Sequence, residues 1–177
     1  MIRTDTWLRA NAHKLGINPE NINPASVDVC LGEKVIEYRH ESGRVRRTEE
    51  WNYYLGDKVH RREIVLEPGQ TFTFRPGYFY LAHTEEYTTL PDDACAQLIL
   101  KSSSGRKGLD HAHSGWGDPG FSGQWTFEFT AHLECSFRRG QRIAQLVFMA
   151  CDAKPEQTYA KTGRYQGQTG VTEARPE

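Results

Sequence analysis

Ser114-Gly115-Trp116-Gly117-Asp118-Pro119-Gly120-Phe121-Ser122-Gly123-Gln124-Trp125-Thr126-Phe127-Glu128-Phe129-Thr130-Ala131-His132-Leu133 joins two halves of different grammar. The first half holds five glycine or proline residues. That density predicts a tight hairpin whose backbone N–H and C=O groups are open to the edge of a planar ring. The second half alternates: Trp125, Phe127, Phe129, Ala131 and Leu133 share one face of an extended strand, and Thr126, Glu128, Thr130 and His132 share the other. A glycine-rich turn running into such alternation is a β signal. Glu128 then lies mid-strand on a polar face. Such a face meets solvent in most sandwiches and lines a cavity in some; the pattern by itself favours solvent. Asp118, taken alone, reads as a cap of its turn.

The same texture extends outward. Short runs rich in Val, Ile, Tyr, Phe and Thr at 27–31, 34–38, 63–66, 71–74, 78–83, 96–100, 124–133 and 142–150 read as strands. Pro68-Gly69, Pro76-Gly77, Pro119-Gly120 and Arg139-Gly140 punctuate them. So many short strands in 177 residues predict one all-β domain over 1–177, a distorted jelly roll or β-sandwich. Three segments depart from the pattern. Trp7, Leu8, Ala10, Ala12 and Leu15 are spaced as in a short amphipathic helix over 1–15, with Thr4 or Asp5 to cap it and a Pro/Asn-rich turn at 18–24 to end it. Residues 40–62 are dense in charge and aromatics and read as a long hairpin or insertion. From Pro155 onward the hydrophobic period is lost while Tyr159, Tyr165 and three glycines remain. A mobile C-terminal tail over 155–177, with spaced residues able to grip a ligand, is expected.

The bulk numbers exclude broad classes. A net charge of −1 and a pI near 6.7 give no basic field for a nucleic acid polymer or an anionic membrane. Any phosphate must be held by a few placed cations. No apolar run reaches the length of a membrane span, and the first residues lack the apolar core of a signal peptide. A cytoplasmic protein is expected. Cys30, Cys95, Cys135 and Cys151 are scattered, with no C-x-x-C pair, and read as reduced thiols.

Three further places can carry chemistry. Leu98-Ile99-Leu100-Lys101-Ser102-Ser103-Ser104-Gly105-Arg106-Lys107-Gly108 runs an apolar strand into three serines and three cations. Hydroxyls and backbone N–H groups there can cradle phosphate, and Arg106 adds a planar fork of donors; the bland reading is a polar turn with solvated charges. His111 and His113 lie two apart without a well-placed third ligand, so polar surface is the better reading than a metal site. Gln145 is a lone amide in the apolar run 142–149, and if buried it needs partners from the backbone or from a bound base. His132-Leu133-Glu134 copies the first half of a zinc deaminase signature, but no P-C-x-x-C follows. A zinc site of that kind is ruled out.

Taken in order, these segments resemble the dCTP deaminase family, which shares its fold with trimeric dUTPases. Residues 22–32, Ile-Asn-Pro-Ala-Ser-Val-Asp-Val-Cys-Leu-Gly, are similar to P-A-S-x-D-x-x-L-G, and residues 102–109 are similar to R-S-S-x-x-R-x-G-L. The quoted block from Ser114 to Phe129 is similar to A-G-W-I-D-P-G-F-x-G followed by L-E-F. Residues 142–146 and Gly163-Arg164-Tyr165-Gln166-Gly167-Gln168 match the late core strand and the K-Y-Q-G-Q tail. There are departures. Lys101 stands where the motif has its first Arg, the stretch from Arg106 to Asp118 is one residue short, and Gly117 stands where an aliphatic residue is common.

The resemblance implies a homotrimer of distorted jelly rolls, with active sites built between subunits and closed by the tail. Glu128 would be general base and then acid for a metal-free attack of water on C4 of cytosine. Ser102 and Arg106 would position water and substrate. Ser114, Gly115, Trp116 and Asp118 would frame the base through the backbone, and Gln145 would support the nucleotide. Lys101, Ser103, Arg164 and Gln168 would meet the triphosphate, which carries Mg2+, while Tyr159 and Tyr165 belong to the lid. The leading expectation is deamination of dCTP to dUTP. Alternatives are a dUTP pyrophosphatase or a bifunctional enzyme, because the matching Asp on the dUTPase side, here Asp118, orients the water that attacks phosphorus. An enzyme of a modified pyrimidine nucleotide and a non-catalytic nucleotide sensor are the remaining ones.

Overall fold

In the computed structural model, residues 1–40, 59–112 and 114–176 are described. Helix α1 (Asp5–Leu15) precedes fourteen strands: β1 (Ile22–Asn23), β2 (Ser26–Cys30), β3 (Lys34–His40), β4 (Val59–Val65), β5 (Thr71–Phe74), β6 (Tyr78–His83), β7 (Thr88–Thr89), β8 (Ala94–Leu100), β9 (Leu109–His111), β10 (Trp116–Gly117), β11 (Ser122–Gly123), β12 (Thr126–Ala131), β13 (Cys135–Arg138) and β14 (Arg142–Ala150). A short helix α2 (Ser102–Gly105) follows β8, and α3 (Tyr159–Thr162) lies in the tail. One five-stranded sheet has the order β1-β2-β14-β8-β10, the other β4-β3-β6-β12-β9. β7 with β11 and β5 with β13 form two small ribbons. The all-β sandwich expected from the sequence is the fold observed.

Alternation builds the core. Val27 and Val29 on β2, Leu146 and Phe148 on β14, and Tyr80, Phe127 and Phe129 from the other sheet all bury fully or nearly so. Phe74 is the hub: Phe72, Tyr80 and Phe129 meet it edge-on at 4.8, 5.0 and 5.5 Å, the geometry that ring quadrupoles favour. Leu8, Ala12 and Leu15 place one face of α1 on this core. The helix ends before the Pro/Asn turn, at Gly16, whose left-handed φ of 68° lets its own N–H close on the last turn. Pro19–Asn21 instead forms a separate 3-10 turn. Thr4 occupies the N-cap position but makes no side-chain cap bond.

Two expectations needed correction. β4 begins at Val59 rather than 63, pairing along β3 from His40↔Val59 to Lys34↔Val65, so 59–62 belong to a hairpin arm. Its charges are tolerated because β4 is an edge strand. Arg62 pairs with Glu37 at 3.1 Å, and Lys34 with Glu63 at 2.8 Å. The middle of the expected insertion, 41–58, lies outside the described residues. Leu133 leaves the buried row: β12 stops at Ala131, and Leu133 is 63% exposed.

Cys30, Cys95 and Cys135 are buried thiols and Cys151 is half-buried, none in a disulfide. Burial beside the Glu86 carboxylate pushes the Cys30 thiol up to about 12. Among the described residues no helix is long and apolar enough to cross a membrane.

Candidate active site

The Gly/Pro hairpin folds back so that its start pairs with β12 and its tip pairs with β8. The Ala112 N–H donates to the Glu128 carbonyl at 2.9 Å, and Trp116 stands opposite Gln97. Between this hairpin, the outer face of the second sheet and the C-terminal stretch lies a cavity of about 700 Å³. Ser114, Trp116, Asp118 and Glu128 line one side, and Tyr38, Phe79, Leu81 and Arg61 the other. Tyr159, Tyr165, Gln168 and Glu173 close over it. The polar face of β12 therefore meets a cavity, not the open solvent that alternation alone favours.

Glu128 is the centre of this site. Its side chain is 28% exposed, and Ser114 Oγ donates to its Oε2 at 2.5 Å. His111 Nε2 stands 3.4 Å from the same oxygen. Burial raises the Glu128 carboxyl above the usual carboxylate range, and the Ser114 hydrogen bond works against that rise. His111 was the residue that sequence reasoning misplaced. It is 7% exposed, not polar surface, and its ring meets Phe129 edge-on at 5.6 Å. Leu109 and His111 share the buried face of β9, a strand of three residues and so too short for its alternation to be read from the sequence. His113 lies outside the described residues.

Asp118 sits ten residues before Glu128 on the wall of the same cavity. Trp116 Nε1 donates to its Oδ1 at 3.0 Å, so its second role is to orient the half-exposed indole. Gly115 presses against β8, where its carbonyl accepts the Leu98 N–H at 2.7 Å. Gly117 has a packing cause: a Cβ there would come within 2.2 Å of the Trp125 indole and 3.0 Å of Leu90. Trp125 is buried, with Nε1 donating to Thr88 Oγ1 at 2.8 Å. The Trp125 indole occupies the volume that an aliphatic side chain at 117 would need. Gly117→Ile should therefore cost about 3 kcal/mol or more through overpacking. Combining it with Trp125→Ala should recover part of that loss, as read by thermal unfolding in a double-mutant cycle.

The tail from Pro155 is irregular but closely held. Tyr159 meets Phe121 edge-on at 5.6 Å, and Gln168 Nε2 donates to the Gln124 carbonyl at 2.6 Å. Arg61 forks onto Glu173, Nε to Oε1 and Nη2 to Oε2, both at 3.0 Å, and the Tyr38 hydroxyl donates to Oε1 of the same carboxylate. This clamp carried no sequence signal, because Tyr38, Arg61 and Glu173 are distant in the chain. Arg164 lies away from the cavity, donating to the Arg175 carbonyl at 3.4 Å.

The other expected residues assemble elsewhere. Gln145 Oε1 accepts from Ser26 Oγ at 2.8 Å, a side-chain partner for the lone amide. Beside it, Lys101 pairs with the buried Asp28, which also accepts from Asn23 Nδ2 at 2.9 Å. Ser104 Oγ donates to the Ile143 carbonyl at 2.8 Å and fixes α2 on β14. Ser102, Ser103 and Arg106 are exposed and do not line the Glu128 cavity of their own chain. Each chain thus presents a cavity lined by the carboxylates of Asp118, Glu128 and Glu173, and a separate ledge of serines and cations. No group of three or more His, Cys, Asp or Glu side chains arranged to hold a metal occurs among the described residues.

Comparison with known proteins gives this arrangement its class. The family model described as dCTP deaminase-like matches residues 2–151. The chain belongs to that family. It is 42% identical over 186 residues to the "dCTP deaminase, dUMP-forming" of Beutenbergia cavernae, covering 99% of this chain and 94% of that protein. A Sulfurihydrogenibium protein of the same description is 37% identical over 182 residues, covering 99% and 97%. Among solved structures, the 2'-deoxycytidine 5'-triphosphate deaminase from Agrobacterium tumefaciens superposes with a TM-score of 0.61 at 23% identity, over 84% of this chain. This chain spans 47% of that longer one, and the likeness speaks for the fold alone.

Proposed function

We propose that the protein converts dCTP to dUMP, ammonia and pyrophosphate by two hydrolyses at one site. The observation that carries this reading is that Glu128 and Asp118 line one cavity. The relatives are described as dUMP-forming, which favours the two-step alternative over release of dUTP. In the first step Glu128 takes a proton from water as the oxygen bonds to C4. It then passes a proton to the exocyclic nitrogen, and the C4–N bond breaks to release ammonia. A carboxylate whose burial favours the protonated form suits both roles, since it must hold the proton between the two transfers. In the second step Asp118 orients a water toward the α-phosphorus, and pyrophosphate leaves.

The hairpin backbone from Ser114 to Asp118 frames the base, and Tyr159, Tyr165 and Gln168 close the lid with the Arg61–Glu173 clamp behind them. Lys101 and Ser103 meet the triphosphate from the ledge, and Gln145 supports the nucleotide site. Mg2+ would be carried by the triphosphate and would offset the charge of the leaving pyrophosphate. Ser102 and Arg106 reach Glu128 from a neighbouring copy in a homotrimer, completing each cavity with the ledge of another chain.

That division is testable by complementation. Glu128→Gln and Arg106→Ala chains, each inactive alone, should regain activity when co-assembled, because about one site in four then combines an intact cavity with an intact ledge. Activity no higher than the sum of the two separate variants would place both halves in one chain and defeat the reading.

A further inference from the structure

The motif A-G-W-I-D-P-G-F carries alanine where this chain has Ser114, and in this structure the extra hydroxyl is engaged. Ser114 Oγ donates to Glu128 Oε2 at 2.5 Å, the short distance of an O–H···O⁻ bond to an ionised acceptor. The donor is fixed from several directions. The Ala112 N–H is tied to the Glu128 carbonyl at 2.9 Å, the Ser114 carbonyl accepts the Trp116 N–H at 2.9 Å, and the Leu98 N–H donates to the Gly115 carbonyl at 2.7 Å. His111 Nε2 approaches the same Oε2 at 3.4 Å. Its ring is held edge-on by Phe127 at 6.0 Å and by Phe129 at 5.6 Å, and a ring packed that way cannot swing aside without disturbing the core. Both contacts fall on one carboxylate oxygen.

We infer that Ser114 is a positioning residue for Glu128: its hydroxyl holds Oε2, so that Oε1 takes the proton from water and passes it to the departing nitrogen. This deepens the proposed function and rests on Glu128 being the proton carrier. The hydroxyl also sets when the carboxylate is available. Burial favours the protonated form and the Ser114 bond favours the ionised one. Removing the hydroxyl therefore raises the pH at which Glu128 ionises. Among the described residues, the titratable and charged groups that face Glu128 or share its cavity are His111 on β9, Asp118 after β10, Tyr38 and Arg39 on β3, Arg61 on β4, and Tyr159, Tyr165 and Glu173 from the tail. Within that set, Ser114 Oγ and His111 Nε2 make short contacts with the Glu128 carboxylate, at 2.5 and 3.4 Å.

The experiment uses the full chain with Ser114→Ala and Ser114→Thr. The Glu128 carboxyl carbon is titrated by NMR, with its signal assigned by its absence in Glu128→Gln, and the pH profile of kcat/KM for ammonia release from dCTP is recorded. In Ser114→Ala the titration and the acid limb of the profile should both move up by about one pH unit, a tenfold loss of rate on the acid side. Ser114→Thr should bring both back. A merely structural serine would lower the whole profile without moving its limb. An unmoved Glu128 titration in Ser114→Ala overturns the inference whatever the activity. A titration that moves in a protein that never releases ammonia from dCTP supports the role of the hydroxyl and sinks the substrate reading instead.

Discussion

Glu128→Gln should cut ammonia release from dCTP by roughly a thousandfold or more, the loss typical of removing a general acid–base group, while dCTP still binds. The amide is nearly isosteric and its oxygen can still accept the Ser114 hydroxyl, so the hairpin and the cavity keep their shape. What disappears is a group that can take a proton from water and return one to nitrogen. The chemical step falls while ground-state binding stays, and the signature is a collapse of kcat with a nearly unchanged Kd. Isothermal titration alongside an ammonia assay separates the two. A variant that kept within tenfold of the parent rate would remove Glu128 from the chemistry.

Asp118→Asn should split the reaction. Deamination should continue within about tenfold, while pyrophosphate release falls by a hundredfold or more, so that dUTP accumulates. The asparagine oxygen can still accept the Trp116 indole N–H that now reaches Oδ1 at 3.0 Å, which keeps the hairpin in place. It cannot serve as base for the water aimed at phosphorus. Ion-exchange chromatography of a dCTP reaction over time reads the result directly. Parallel loss of ammonia and pyrophosphate would show that Asp118 holds the base or the hairpin rather than the second water.

Much of this site was legible in the chain because it lies on contiguous motifs. Alternation from Trp125 to Ala131 fixed which way Glu128 points, and the glycines before it fixed a hairpin close to that strand. Alternation could not say what lies over the polar face, since the covering tail is remote in sequence; the cavity appeared only with the fold. His111 was misread for a related reason. A three-residue strand gives too little alternation to show that its histidine turns inward beside Phe127 and Phe129. Gly117 read as an oddity until Trp125 was seen to occupy the volume its side chain would need. β4 was started late because an edge strand can carry His60, Arg61 and Arg62, which look like loop. β13 was missed as well: four residues paired only with β5 leave a weak pattern.

The separation of Ser102 and Arg106 from Glu128 is the feature that most shapes the mechanism. Within one chain the cavity has Asp118, Glu128 and the tail that covers them. The serine and arginine ledge points elsewhere, anchored by Ser104 on β14 and by the Lys101–Asp28 pair.

The central claim is that one cavity carries dCTP through to dUMP. The most direct measurement incubates the purified protein with Mg2+ and dCTP and quantifies ammonia, pyrophosphate and each nucleotide in the same samples. Two steps at one site on a bound intermediate predict ammonia, pyrophosphate and dUMP in equal amounts from the earliest time points, with little free dUTP. Stoichiometric ammonia with dUTP as the lasting product, or pyrophosphate appearing from dCTP without ammonia, would contradict it.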